Sequence, residues 1–181
     1  STSLSYDGRT IAIGSPGDWT IDATSPGFVR VYRLDGDNSS WIQLGQDING
    51  EAGDYLGVSV SLSADGNTLA VGAFGKDRNG TGSGQVTVFR LDDSDLTCLT
   101  WTQFGNKLNG EAANDFSGKS VSLSSDGNVV AIGAPSTQAY TKKGQVRVYE
   151  YNTLSSAWTR RSTVDIDGEG IDDFFGFSVS L

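Results

Sequence analysis

Short runs of alternating apolar and polar residues recur along the chain, separated by turn residues. Ser59-Val60-Ser61-Leu62 alternates with a period of two, the pattern of a strand with one face buried. Asp65-Gly66 follows and predicts a hairpin, because glycine takes a positive φ without steric cost. Leu69-Ala70-Val71-Gly72-Ala73 is a continuous apolar run, as in a strand buried on both faces. Gln85-Val86-Thr87-Val88-Phe89 alternates again and predicts a half-buried strand with Thr87 on the far face. A fourth segment opens at Trp101 and leads into Asn109-Gly110-Glu111. No window has an apolar period near 3.6, so essentially no helix is expected.

The same four segments occur three times. Ser1-Thr2-Ser3-Leu4, Ser59-Val60-Ser61-Leu62, Ser120-Val121-Ser122-Leu123 and Ser178-Val179-Ser180-Leu181 stand 58, 61 and 58 residues apart. Asp7-Gly8, Asp65-Gly66 and Asp126-Gly127 supply the hairpins, and Arg30, Thr87 and Arg147 share one place in the third strand. Trp41, Trp101 and Trp158 open the fourth segment. The expected units are 1–58, 59–119 and 120–177, with 178–181 as the first strand of a further repeat. One four-stranded meander cannot bury its apolar faces alone, so like units must stack.

Composition narrows the chemistry. The chain has 181 residues, 22 Asp and Glu against 13 Lys and Arg, no His, no Met and one Cys, for a net charge of −9. Without His there is no Ser-His-Asp group and no His-ligated metal. One Cys excludes an intrachain disulfide, a Cys-based zinc site and an iron–sulfur cluster. Acidity argues against nucleic-acid binding, and no apolar run is long enough to insert in a membrane as a helix. The chain begins at Ser1 without a signal-peptide pattern, as a processed or excerpted chain would.

Phe175-Gly176 before Ser178-Val179-Ser180-Leu181, Gly133-Ala134-Pro135, and Gly144-Gln145-Val146-Arg147-Val148-Tyr149 together resemble the FG-GAP repeat of integrin α-subunit propellers. Tyr55-Leu56-Gly57 and Phe116-Ser117-Gly118 replace Phe-Gly, while Gly14-Ser15-Pro16 and Gly72-Ala73-Phe74 replace Gly-Ala-Pro. The resemblance implies an all-β fold of three tandem four-stranded antiparallel blades in a β-propeller-like array. Family members often hold calcium in a D-x-[DN]-x-D-G-x-x-D loop after the first strand. Asp7, Asp65 and Asp126 offer one acid each, so those loops are read as turns.

Asp165, Asp167, Glu169 and Asp173, with Asp172, make the densest acidic cluster and the candidate metal site, with calcium as the cofactor considered. The counterpart of Asp165 in the second unit is Lys107, and Asn/Asp-Gly-Glu recurs in every unit. Asx-type hydrogen bonds holding the crossing between units are therefore the more economical reading. The periodic tryptophans are read as packing between blades, in preference to a sugar-stacking platform. Trp19 has no counterpart and lies in a variable loop, which makes it the ligand-contact candidate. Asn38-Ser39-Ser40 and Asn79-Gly80-Thr81 are glycosylation sequons, and Cys98 is a free thiol or an intermolecular link.

The function expected is that of a non-catalytic extracellular glycoprotein for structure or cell adhesion, self-associating into a homo-oligomeric completed propeller or a filament. A module binding glycan or a cell-surface protein is the alternative, and a carboxylate-based hydrolase is third. A β-trefoil is the rival fold, made less apt by about 60 residues per unit.

Overall fold

The computed structural model describes residues 1–17, 24–95, 98–136, 143–171 and 173–181, and they contain strands and no helix. The first blade holds β1 (Thr2–Leu4), β2 (Thr10–Ser15), β3 (Phe28–Leu34), β4 (Trp41–Gln43) and β5 (Ile48–Asn49). The second holds β6 (Ser59–Leu62), β7 (Thr68–Ala73), β8 (Gln85–Asp92), β9 (Thr100–Gln103) and β10 (Leu108–Asn109). The third holds β11 (Ser120–Leu123), β12 (Val129–Ala134), β13 (Gln145–Asn152), β14 (Ala157–Arg160) and β15 (Ile166–Asp167). Each is an antiparallel meander in which both outer pieces pair with the third strand. The expected fourth strand is thus split, because a turn such as Leu44-Gly45-Gln46 interrupts its ladder. Residues 178–181 pair with no second strand, although the Leu181 amide donates to Ser122 Oγ at 3.0 Å.

The alternation in the first strand divides two duties. Val60 and Leu62 enter a core with Ala12, Val29 and Val31 of the blade before. Ser61 points the other way and its hydroxyl accepts the Leu123 amide of the blade after, at 2.9 Å. Ser3 receives the Leu62 amide in the same way. A second core joins Ala70, Val86, Val88 and Leu108 to Val121, Leu123, Val130 and Ile132. Each fully buried Val or Leu contributes on the order of 1.5–3 kcal/mol, so the faces between blades hold the array together.

β7 is buried along its whole length, as its continuous apolar run predicts. β8 departs from the half-buried expectation, since Gln85, Val86, Thr87 and Val88 are all buried. A middle blade has neighbours on both faces, and alternation alone does not count neighbours. Arg147 is likewise buried, held in an ion-pair network.

Candidate functional site

The conspicuous surface is the pair of faces that no blade covers. Leu4 is 54% exposed, whereas its counterparts Leu62 and Leu123 are 7% and 5% exposed. Trp41 is 46% exposed, against 3% for both Trp101 and Trp158. The Trp101 indole donates to the Leu44 carbonyl and the Trp158 indole to the Phe104 carbonyl, each at 2.8 Å across a blade junction. The tryptophans therefore pack between blades where a preceding blade exists, and Trp41 has none within the chain. At the other end Ile166, Phe174, Phe175, Phe177 and Leu181 are exposed. No large apolar residue described between 59 and 119 is.

Two grooves lined in part by charged side chains are among those at the blade junctions. The first, about 320 Å³, is lined by Asp47, Glu51, Asp54, Lys76, Gln85 and Lys107, among others. Lys76 Nζ reaches Glu51 at 2.5 Å and Asp54 at 2.9 Å. Burial pushes the Lys76 pKa down, but the hydrogen bonds and charges of the two carboxylates outweigh it and the pKa ends up raised. The hydrogen bond from Lys76 holds Glu51 below the ordinary glutamate range. The Arg30 guanidinium lowers Asp47 in the same manner. The second groove, about 410 Å³, includes Glu111, Asp115, Ser136, Lys143, Gln145 and Asp167. Beside it Arg147 binds Glu111 and Asp165, each at 3.0 Å, and Arg160 binds the same two acids. In both grooves the carboxylates are paired with cations, an arrangement that braces the junction.

The candidate metal residues have separate surroundings. Asp165 faces the two arginines, Asp167 lines the second groove, and Asp173 accepts the Gly170 amide at 2.5 Å. Glu169 is exposed, and Asp172 lies outside the described residues. Among the described residues no three acids, Cys or His gather closely enough to hold an ion. The bonds expected from Asn/Asp-Gly-Glu come instead from the acid three or four residues beyond the Glu. Asp54 accepts the Glu51 amide, and Asp115 those of Glu111 and Ala112. The recurrence of Asp54, Asp115 and Asp173 was the available signal. Lys76 and Arg160 occur in single units, so repetition could not flag them.

Asp7, Asp65 and Asp126 close the hairpins, accepting the hydroxyls of Ser5, Ser63 and Ser124 at 2.5–2.6 Å. Asn38 is exposed in the turn between β3 and β4, where Arg9 donates to its side-chain oxygen. Asn79 is exposed as well, but its side-chain nitrogen donates to the Gly110 carbonyl at 2.7 Å. Cys98 is exposed and free, and Trp19 lies outside the described residues.

Residues 47–89 match the family model of the FG-GAP repeat, and the chain carries that repeat in an all-β, propeller-type fold. No curated protein matches the chain in sequence. Among solved structures it is similar to a candidate 6-phosphogluconolactonase of Bacteroides fragilis, with a TM-score of 0.59 and 14% identity. That superposition covers 95% of this chain and 40% of the other. The periplasmic gluconolactonase of Pseudomonas aeruginosa gives a TM-score of 0.54 at 17% identity, over 93% of this chain and 44% of the other. A prolyl endopeptidase structure gives 0.50 at 18% identity, covering 94% and 22%. The chain thus spans less than half the length of each, and at these identities the likeness is one of fold.

Proposed function

We propose that the chain is a section of a non-catalytic extracellular β-propeller, used for structure or adhesion, whose ring is closed by further blades of the same kind. The observation that carries this reading is the difference between equivalent positions. Residues that seal every internal junction stand bare on the two outer faces, as with Trp41 beside Trp101 and Trp158. Three blades covering 40–44% of the two lactonase-like chains scale to about seven blades in a full ring. Ion pairing of the groove carboxylates supports a structural role for them, and the two sequons in exposed turns support an exported glycoprotein.

Hydrophobic-dye binding together with sedimentation of the purified 181-residue chain tests the ring. Uncovered faces bind dye and associate with rising concentration; a dye-silent monomer would overturn the reading. Turnover of gluconolactone abolished by substituting one groove acid would instead establish an enzyme.

A further inference from the structure

Two outer turns of this chain are shaped to receive an indole, and the third is not. Leu44-Gly45-Gln46 follows β4 and Phe104-Gly105-Asn106 follows β9. In each, the carbonyl of the apolar residue accepts the indole N–H of the next blade at 2.8 Å. The amide side chain accepts the tryptophan backbone N–H, Gln46 at 2.9 Å and Asn106 at 2.7 Å. The glycine between them lies against the ring. A Cβ on Gly45 would stand 2.8 Å from Trp101 Cδ1, and one on Gly105 would stand 2.7 Å from Trp158 Cδ1. Both distances are shorter than real Cβ contacts, so the indole lodges only over glycine.

The third blade departs from this at every point. The Arg161 amide donates to the Val148 carbonyl at 2.9 Å, as Leu44 does to Val31 and Phe104 to Val88, so Arg161 holds the place of the apolar residue. Ser162 then stands where the glycine would be, Thr163 replaces the amide side chain, and Val164 is an additional residue before Asp165. Ser162 is not in the left-handed region that Gly45 and Gly105 occupy at φ +76° and +77°. An indole cannot seat on this turn as Trp101 and Trp158 seat on theirs. At the opposite end of the chain Trp41, Leu4 and Ile13 wait uncovered.

We propose that the leading face of the first blade is a docking surface for an FG-GAP blade whose outer turn reads apolar–Gly–Gln/Asn. It follows that the trailing face of a second copy's third blade is not its partner. The inference rests on the reading that further blades complete the ring, and it specifies which blade precedes the first. Continuity with the two internal junctions supplies the argument. The same Trp meets the same turn both times it is covered, with the same Leu and aliphatic positions in the core of that junction, and a buried Trp anchor dominates such an interface. Simple head-to-tail growth from identical copies would set Trp41 against Arg161 and Ser162.

Tryptophan oxidation mapped residue by residue by mass spectrometry tests this. In the unaltered chain, at concentrations where it associates, Trp101 and Trp158 are protected while Trp41 reacts. Replacing Arg161-Ser162-Thr163-Val164 with the Phe-Gly-Asn of the second blade makes Trp41 protected and raises the mass above that of the unaltered chain at equal concentration. Adding Trp41→Ala to that variant abolishes the gain. Separately, Gly105→Ser removes protection from Trp158 and leaves Trp101 protected. Protection of Trp41 in assemblies of the unaltered chain would overturn the inference while leaving the ring reading intact. So would a folded turn-replaced chain in which Trp41 still reacts, or a Gly105→Ser chain in which Trp158 stays protected. If the turn-replaced chain does not fold, the Gly105→Ser result decides alone. A dye-silent monomer, by contrast, removes the ring reading itself.

Discussion

A methyl group on Gly72 would stand 2.0 Å from the carbonyl oxygen of Gly118. Gly72 belongs to the second strand of one blade, and Gly118 lies just ahead of the first strand of the next. The two halves of the repeat motif therefore meet each other across a junction, and Ser59 Oγ donates to the same carbonyl at 2.7 Å. Gly72→Ala must push two backbones apart, with an expected loss of about 1–3 kcal/mol or more. Urea denaturation checks it against Gly36→Ala, where nothing lies within 4 Å of the new methyl and stability should hardly change.

The tryptophans give a graded series. Trp101→Ala removes a buried ring and leaves the Leu44 carbonyl without its donor, and costs about 3–5 kcal/mol. Trp41→Ala costs much less in the chain by itself, because its ring is half exposed. Equal losses in thermal or chemical unfolding would mean that Trp41 is already covered.

Lys76→Met strands Asp54, whose side chain is 10% exposed, without its cation. A loss of about 3–5 kcal/mol is expected, and adding Asp54→Asn should recover part of it. Chemical denaturation of the single and double variants reads both effects.

Stability should fall on both sides of neutrality. The hydrogen bond from Ser5 lowers the pKa of Asp7, and that from Ser124 lowers Asp126. Arg30 lowers Asp47, and Lys76 lowers Glu51. Their contribution is present above the unfolded carboxylate range of about 4 and is lost as pH falls through the lowered folded values. The raised Lys76 pKa works in the other direction. Its contribution is full below about 10.4 and is lost as pH rises through the folded value. Unfolding midpoints measured from pH 2 to 11 should form a plateau with both shoulders. Lys76→Met should shrink the alkaline shoulder.

Expression through a secretory pathway should modify the two sequons unequally. The Asn79 side-chain nitrogen is engaged with the Gly110 carbonyl, whereas Arg9 engages only the oxygen of Asn38. Glycopeptide mapping should find Asn38 occupied more fully than Asn79.

By itself the sequence determined what is local and what is repeated. Alternation in Ser59-Val60-Ser61-Leu62 fixes which side chains share a face, Asp-Gly fixes the hairpins, and the 58–61-residue steps fix three equivalent blades. Those features depend only on neighbours along the chain, so they can be read without a fold. The tertiary structure decided which faces are covered. Trp41 and Trp101 begin the same segment, yet one is exposed and the other buried, because burial depends on a neighbouring blade. It also decided which acids meet which bases. Lys76 finds Glu51 and Asp54 across 25 and 22 residues, and Arg147 finds Glu111 across a junction, pairings that carry no periodic mark. Electrostatic partners are chosen by distance in space, and the blade stacking sets that distance.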